Sequence, residues 1–227
     1  MTGKRRYSTA LRTQQTALTR ARILDAAREL FLEHGYLGTT ITGISHTAQV
    51  SVQTIYNTIG TKPAVFKAVY DTTLAGDDDP IPMIDRPQFR AMLAAETATE
   101  CLARYTAIAA TIAQRVLPLV SMALAQSASG DPELRDFTDT TENERNFGAT
   151  NLADHLHRRF GLRSGLALVD AGDILWALTA PELADRLVNR RGWSWDKYQK
   201  WLYTAATESL LGPTRSSPER GSTTLLP

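Results

Sequence analysis

Residues 40–66, TITGISHTAQVSVQTIYNTIGTKPAVF, constrain this chain more than any other stretch, because two short amphipathic helical patterns flank a tight polar turn. Ile41, Ile44 and Ala48 recur at helical spacing before the turn, and Val50, Ile55 and Ile59 place apolar groups on one face after it. This is the sequence form of a helix-turn-helix. The other face of the second helix carries Val52, Gln53, Thr54, Tyr56 and Asn57. Small, amide and hydroxyl side chains of this kind meet base edges and phosphates in a DNA major groove.

The flanking segments supply what such a motif needs. Upstream, Ala21, Leu24, Ala27, Leu30 and Phe31 form an apolar stripe, and Gly35 suits the left-handed position just past a helix end. Thr39 and Thr40 are placed to cap the next helix. Downstream, Gly60 and Thr61 break the chain before KPAVFKAVYDTTL, a further helix with Pro63 in its first turn, where a missing N–H costs nothing. The pattern predicts three helices and a fourth leaving the unit, over residues 19–75.

The order of residues here resembles the DNA-binding domain of the TetR family of bacterial transcriptional regulators. The resemblance rests on Ile23-Leu24-Asp25-Ala26-Ala27, on Phe31, Gly35 and Tyr36, and on the Thr39-Thr40 pair with Ile44 and Ala48. It continues in Val50-Ser51, Thr54-Ile55-Tyr56, Gly60 and Lys62. Two positions depart from the family pattern: Gln49 stands where the family has Gly, and Ile59 where it has Phe. A positive φ at Gln49 would cost about 1 kcal/mol relative to Gly. The resemblance implies double-stranded operator DNA as a partner. Val52, Gln53 and Asn57 are the expected base contacts, and Thr40, Thr54, Tyr56 and Lys62 the expected backbone contacts.

Charge points the same way. The whole chain is nearly neutral, with 25 Lys plus Arg against 24 Asp plus Glu. Residues 1–70, however, hold nine basic and three acidic residues, while the remainder holds sixteen and twenty-one. The footprint for a polyanion therefore lies at one end. Residues 1–18 are polar and basic and read as a flexible arm, either merely disordered or bringing Lys4, Arg5 and Arg6 to DNA. They contain no signal peptide, and no membrane span is expected anywhere: the longest apolar region, IAQRVLPLVSMALA, is interrupted by Gln114, Arg115 and Pro118 and reads as a buried helix. A lone Cys101 allows no internal disulfide and fits a reducing cytoplasm.

Past residue 75 the pattern changes to long helices. GDDDPIPMIDRP, residues 76–87, reads as a linker. Helices are expected near 88–112, 114–128, 132–160, 166–179, 181–191 and 195–211, with a disordered tail over 213–227. The expected fold class is all-α: an N-terminal three-helix helix-turn-helix domain and a larger helical domain over 76–212. Asp131-Pro132-Glu133-Leu134, the run from Leu175 to Leu183, and Arg191-Gly192-Trp193-Ser194 with Tyr198, Trp201 and Leu202 resemble one branch of the same family. That likeness implies a small-molecule ligand and a homodimer formed through the last long helices. Ile174, Leu175, Leu178, Leu183, Leu187, Trp201, Leu202, Leu210 and Leu211 offer apolar surface for such an interface.

Bulky side chains with polar handles mark the expected ligand pocket: Tyr105, Met122, Phe137, Phe147, His155 and Trp176, with Arg104 and Asn151 able to orient a polar group. Ordinary core packing is the simpler account of each, since an aromatic at helical spacing needs no ligand to explain it. His155 and His157 stand two apart and point to different sides of a helix, so no metal site is expected. There is no Gly-rich phosphate loop, nucleophile motif or zinc-ligand spacing, so no catalytic residues and no cofactor are expected. The reading that follows is a ligand-responsive DNA-binding regulator, a repressor released by a small molecule. The alternative is a helical small-molecule-binding or adaptor protein without specific DNA binding.

Overall fold

The computed structural model describes residues 3–127 and 129–212, with side chains from Gln14 onward. Among them every regular element is helical. In chain order these are α1 (Gly3–Gly38), α2 (Ile41–Ala48), α3 (Val52–Thr58), α4 (Lys62–Ala75), a 3-10 turn (Met83–Asp85), α5 (Pro87–Leu93) and α6 (Ala98–Ser127). Then follow α7 (Pro132–Phe160), α8 (Leu168–Leu178), α9 (Pro181–Ala184) running into a π-helical turn (Asp185–Arg190), and α10 (Trp195–Leu211).

The N-terminal unit forms as its apolar spacing requires. Ile23, Leu24, Ala26, Ala27 and Phe31 of α1 are buried with Ile44, Ala48 and Ile55 from the next two helices. Ala21, expected in this stripe, is exposed. The stretch 1–18 read as an arm is, from Gly3 on, the first part of α1. Lys4, Arg5 and Arg6 have side chains outside the described ones, and the expected tail at 213–227 lies outside the described residues altogether.

At the end of α1, Gly35 takes φ 73° and ψ 172°, beside the movable amide end of Gln126 on α6. Glycine is required here by the dihedral. Thr39, expected to cap α2, is buried and instead donates its hydroxyl to the Gly35 and Leu30 carbonyls at 2.7 and 3.0 Å. Thr40 performs the capping, accepting from Gly43 N–H at 3.0 Å.

The second half differs from expectation in where its helices break. Gln114 and Arg115 are exposed polar positions on one unbroken α6, and Pro118 sits inside that helix, removing one ladder bond without ending it. The break falls instead at residues 94–97, where Thr97 Oγ1 accepts from Glu100 N–H and the Glu100 carboxylate accepts from Glu96 N–H. This close relative of a capping box starts α6. At the head of α7, the Asp131 carboxylate accepts from the N–H groups of Glu133 and Leu134, and Pro132 follows in the first turn.

α6 is the one described helix long and apolar enough to cross a membrane by length and composition. It runs through the middle of the protein, packed on α1, α4, α5, α7, α9 and α10. The apolar core crosses from the N-terminal unit into the rest: Leu119 and Ala123 of α6 and Leu134 of α7 join Phe31, Tyr36 and Phe66 in one cluster. A second cluster lies among α5, α6, α7, α8 and α10, and a third among α6, α9 and α10.

These clusters consume much of the surface expected to join subunits. Leu175, Leu202 and Leu210 are fully buried within the single chain, and Ile174, Leu178, Leu187, Trp201 and Leu211 pack against the same cores. Among the described residues past residue 87, the large apolar groups left exposed are Phe147 at 72%, Val169 at 67%, Leu168 at 38% and Trp176 at 36%, on α7 and α8. Those two helices approach closely at Ala149, Ala153, Ala171 and Gly172.

Residues 76–87, expected as a loose linker, are fastened down. Asp77 forms a bidentate pair with buried Arg86 at 2.7 and 2.8 Å, and Asp78 pairs with Arg20 of α1 at 2.9 Å. Arg115 of α6 donates to the last carbonyl of α4, at Ala75. We call residues 76–86 the strap.

Candidate DNA-binding surface and ligand cavity

α3 is positioned by a short turn and a cap. Gln49 adopts φ 55° and ψ 45°, the left-handed region, and directs the chain from α2 into α3. Ser51 then accepts from Thr54 N–H at 3.0 Å and caps α3. Ile55 is fully buried beneath it, and Ile59 packs on the same core.

The outward face of α3 carries what the periodicity predicted. Gln53, Tyr56 and Asn57 are exposed, with Val52 and Thr54 half-buried at the edges. The Gln53 amide donates to Asn57 Oδ1 at 2.9 Å, one turn along the helix, so the two amides form a single oriented unit. The Thr54 hydroxyl is bonded to Ser51 Oγ at 2.8 Å, and Tyr56 stands 46% exposed. Thr40 is also exposed, at the start of α2.

Lys62 has a different setting from the open rim its sequence position suggests. Its ammonium lies 4.1 Å from the centre of the Tyr36 ring. The Tyr36 hydroxyl in turn donates to Glu133 on α7 at 2.5 Å. Burial lowers the Lys62 ammonium from its ordinary value, opposed by the nearby carboxylates of Glu133 and Asp131. Burial, and then Glu133, raise the Tyr36 phenol. The same turn is held from α6, where Met122 Sδ accepts from Tyr36 N–H and Gln126 accepts from Leu37 N–H. Lys62 thus stands where the helix-turn-helix meets α6 and α7.

A cavity of about 1570 Å³ opens on the far side of α4. Tyr105, Ile108, Ile112 and Val116 line it along one face of α6, at helical spacing. The strap, α4, α5 and α7 complete the wall, including Ile81, Met83, Ile84, Phe89, Met92 and Leu152.

Of the six expected pocket residues, Tyr105, Phe147 and His155 border this cavity, as does Asn151. Phe147 stands at its mouth, which explains its exposure. Met122, Phe137 and Trp176 do not. Met122 lies beyond the cavity on α6 and packs on the N-terminal core. The Phe137 ring is 4.5 Å from Phe66 and 5.3 Å from Tyr70, part of the same core. Trp176 faces outward on α8 with the Arg145 guanidinium 5.6 Å from its ring. Arg104 pairs with Glu100 on the surface. His155 keeps its Nε2 buried without a hydrogen-bond partner, and burial, aided by Arg159, lowers its basicity.

The strap with its partners Arg20 and Arg86, the Ser51 cap and Glu133 are functional features absent from the helical periodicity of the sequence. Only the Ser51 cap had a local signal, a hydroxyl three residues before Thr54 at a helix start. The others pair residues 9 to 97 positions apart.

Residues 23–69 match the sequence model described as bacterial regulatory proteins, tetR family. The comparison with curated proteins gives no match. Among solved structures, a TetR-family transcriptional regulator from Syntrophomonas wolfei superimposes with a TM-score of 0.67 at 14% identity, over 84% of this chain and 93% of that one. A complex of SmeT with triclosan gives 0.65 at 16% identity, over 86% and 92%. NalD of Pseudomonas aeruginosa, the secondary repressor of the MexAB-OprM multidrug efflux pump, gives 0.60 at 21% identity, over 85% and 96%. At such identities the superpositions speak for the fold, while the sequence match covers the helix-turn-helix itself. Residues 23–69 are therefore similar to the tetR family of bacterial regulatory proteins, and the chain has the all-helical fold shared by TetR-type transcriptional regulators.

Proposed function

We propose that this protein is a cytoplasmic, ligand-responsive transcriptional repressor, not an enzyme, that leaves a near-palindromic operator when a small molecule fills the cavity. Residues 19–75 bind DNA, and residues 76–212 bind the ligand and a second copy of the chain. Gln53 and Asn57 read bases with Val52 beside a thymine methyl, while Thr40, Thr54, Tyr56 and Lys62 hold phosphates.

One observation carries the reading: α4 is a wall shared by both sites. Val65, Phe66 and Val69 are buried in the core that holds α1, α2 and α3, and Ala64, Ala68, Thr72 and Leu74 of the same helix border the cavity. A ligand that shifts α4 must therefore move the recognition helix. Arg20 of α1 and Asp78 of the strap supply a second link, since both also border the cavity. The triclosan bound by SmeT and the efflux-pump repressor role of NalD belong to proteins of this fold and favour the same assignment.

The second copy packs on Leu168, Val169 and Trp176, the exposed apolar groups of α8. Two recognition helices then stand about one DNA turn or somewhat more apart. Genome-wide mapping of bound DNA tests the whole proposal. The expected result is a small set of enriched sites with inverted symmetry, and uniform, sequence-independent recovery would refute it.

A further inference from the structure

We propose that the cavity takes a bulky, mainly apolar ligand whose polar group carries no negative charge and docks beside His155. This rests on the cavity being the ligand site. At about 1570 Å³ the space exceeds what a drug-sized molecule usually fills. Exposed Ile81, Ile84 and Phe147 extend its apolar wall out to the mouth.

The charges on the wall decide the class of polar group. Arg20, Lys67, Arg86 and Arg145 border the cavity, and each is already held by a carboxylate. Asp78 holds Arg20 at 2.9 Å, Asp71 and Glu144 hold Lys67 at 2.6 and 3.0 Å, Asp77 holds Arg86 at 2.7 Å, and Glu142 holds Arg145 at 3.1 Å. An incoming carboxylate or phosphate would have to displace one of these partners. It would also meet Asp79, which borders the cavity with no ion pair among the described residues. A hydroxyl, amide or ammonium meets neither obstacle.

His155 supplies a hydrogen bond that the protein itself leaves unmade. Its Nε2 is buried without a partner on a residue bordering the cavity. Burial and the Arg159 charge favour the neutral ring, in which one nitrogen donates and the other accepts. A buried polar atom without a partner is costly, so a ligand group that reaches it once the ring turns toward the cavity gains affinity.

Displacement of the neutral fluorophore N-phenyl-1-naphthylamine from the full-length protein tests this, using dodecanol, dodecyltrimethylammonium and dodecanoate below their micellar concentrations. The alcohol and the ammonium should displace the probe at concentrations at least tenfold below those needed for dodecanoate. Asp79→Lys should narrow that gap. His155→Phe, which keeps an aromatic ring beside Phe160, should weaken dodecanol severalfold and leave the ammonium unchanged. Dodecanoate displacing the probe as well as the other two would overturn the inference about charge while leaving the cavity as a ligand site. No uptake of the probe by the unmodified protein would remove both readings.

Discussion

Replacing Gln49 by glycine should stabilise the protein. Gln49 is the single non-glycine residue with positive φ among the described residues, at φ 55° and ψ 45°. In that region the Cβ of an L-residue crowds the following carbonyl, at a cost of about 1–2 kcal/mol. Glycine avoids this but loses about 0.5–1 kcal/mol more backbone entropy on folding. The difference is a net gain of about 0.5–1 kcal/mol, or about 1–4 °C in Tm for a chain of this size. No packing is lost, since Gln49 is exposed, and the turn keeps its bonds from Gln49 N–H to His46 and from Val50 N–H to Ser45. Thermal unfolding followed by circular dichroism measures the shift. Gln49→Ala is the control: it keeps a Cβ and therefore the strain, and should stay within a few tenths of a kcal/mol of the parent. An alanine variant as stable as the glycine variant would refute strain as the cause.

Gln53→Ala should cost about 1–3 kcal/mol of operator affinity at one base position and relax preference there, read by binding to a set of single-base operator variants; equal loss on every sequence would rule out base reading. Lys62→Ala should weaken operator and random DNA alike and lower the salt dependence by about one phosphate, and an unchanged slope would mean that the ammonium serves only the Tyr36 joint. The Arg86 pair holds the Asp77 carboxyl down at about 2, from an ordinary 3.8, with help from the Asp79 N–H. A depressed carboxylate contributes stability above its ordinary value and loses it as pH falls, so Asp77→Asn should flatten the loss of stability between about pH 4 and 2 in acid titrations. Val169→Glu should give monomers by sedimentation with folding intact, because Val169 is exposed in the single chain; a persisting dimer would move the interface away from α8.

The acid and surface variants probe contacts that no local pattern announces, and this marks where sequence reading stopped. A truncation before Ile174 illustrates the difference. The leucines after it looked available for a partner, yet Leu175, Leu202 and Leu210 are the core of their own subunit, so such a truncation would unfold the chain rather than separate two copies. Helical periodicity says that one face is apolar. It does not say whether the same chain or another covers it.

The helix-turn-helix was legible because its determinants are local. The spacing of Ile44, Ala48, Ile55 and Ile59, the Thr40 cap and the turn at Gln49 are all settled within a few residues, and the outward face of α3 follows from the inward one. α6 starts at Ala98, where Thr97 and Glu100 pair, and not near residue 114, because a polar pair at Gln114 and Arg115 resembles a break yet costs an exposed helix face nothing. The strap, the Tyr36 joint and the cavity belong to the tertiary structure alone. Arg20 meets Asp78 across 58 positions and Tyr36 meets Glu133 across 97. Whether an aromatic such as Phe137 or Tyr105 fills a core or borders a space depends on how far apart the neighbouring helices stand, and that separation is fixed by the summed packing of every helix rather than by any one segment.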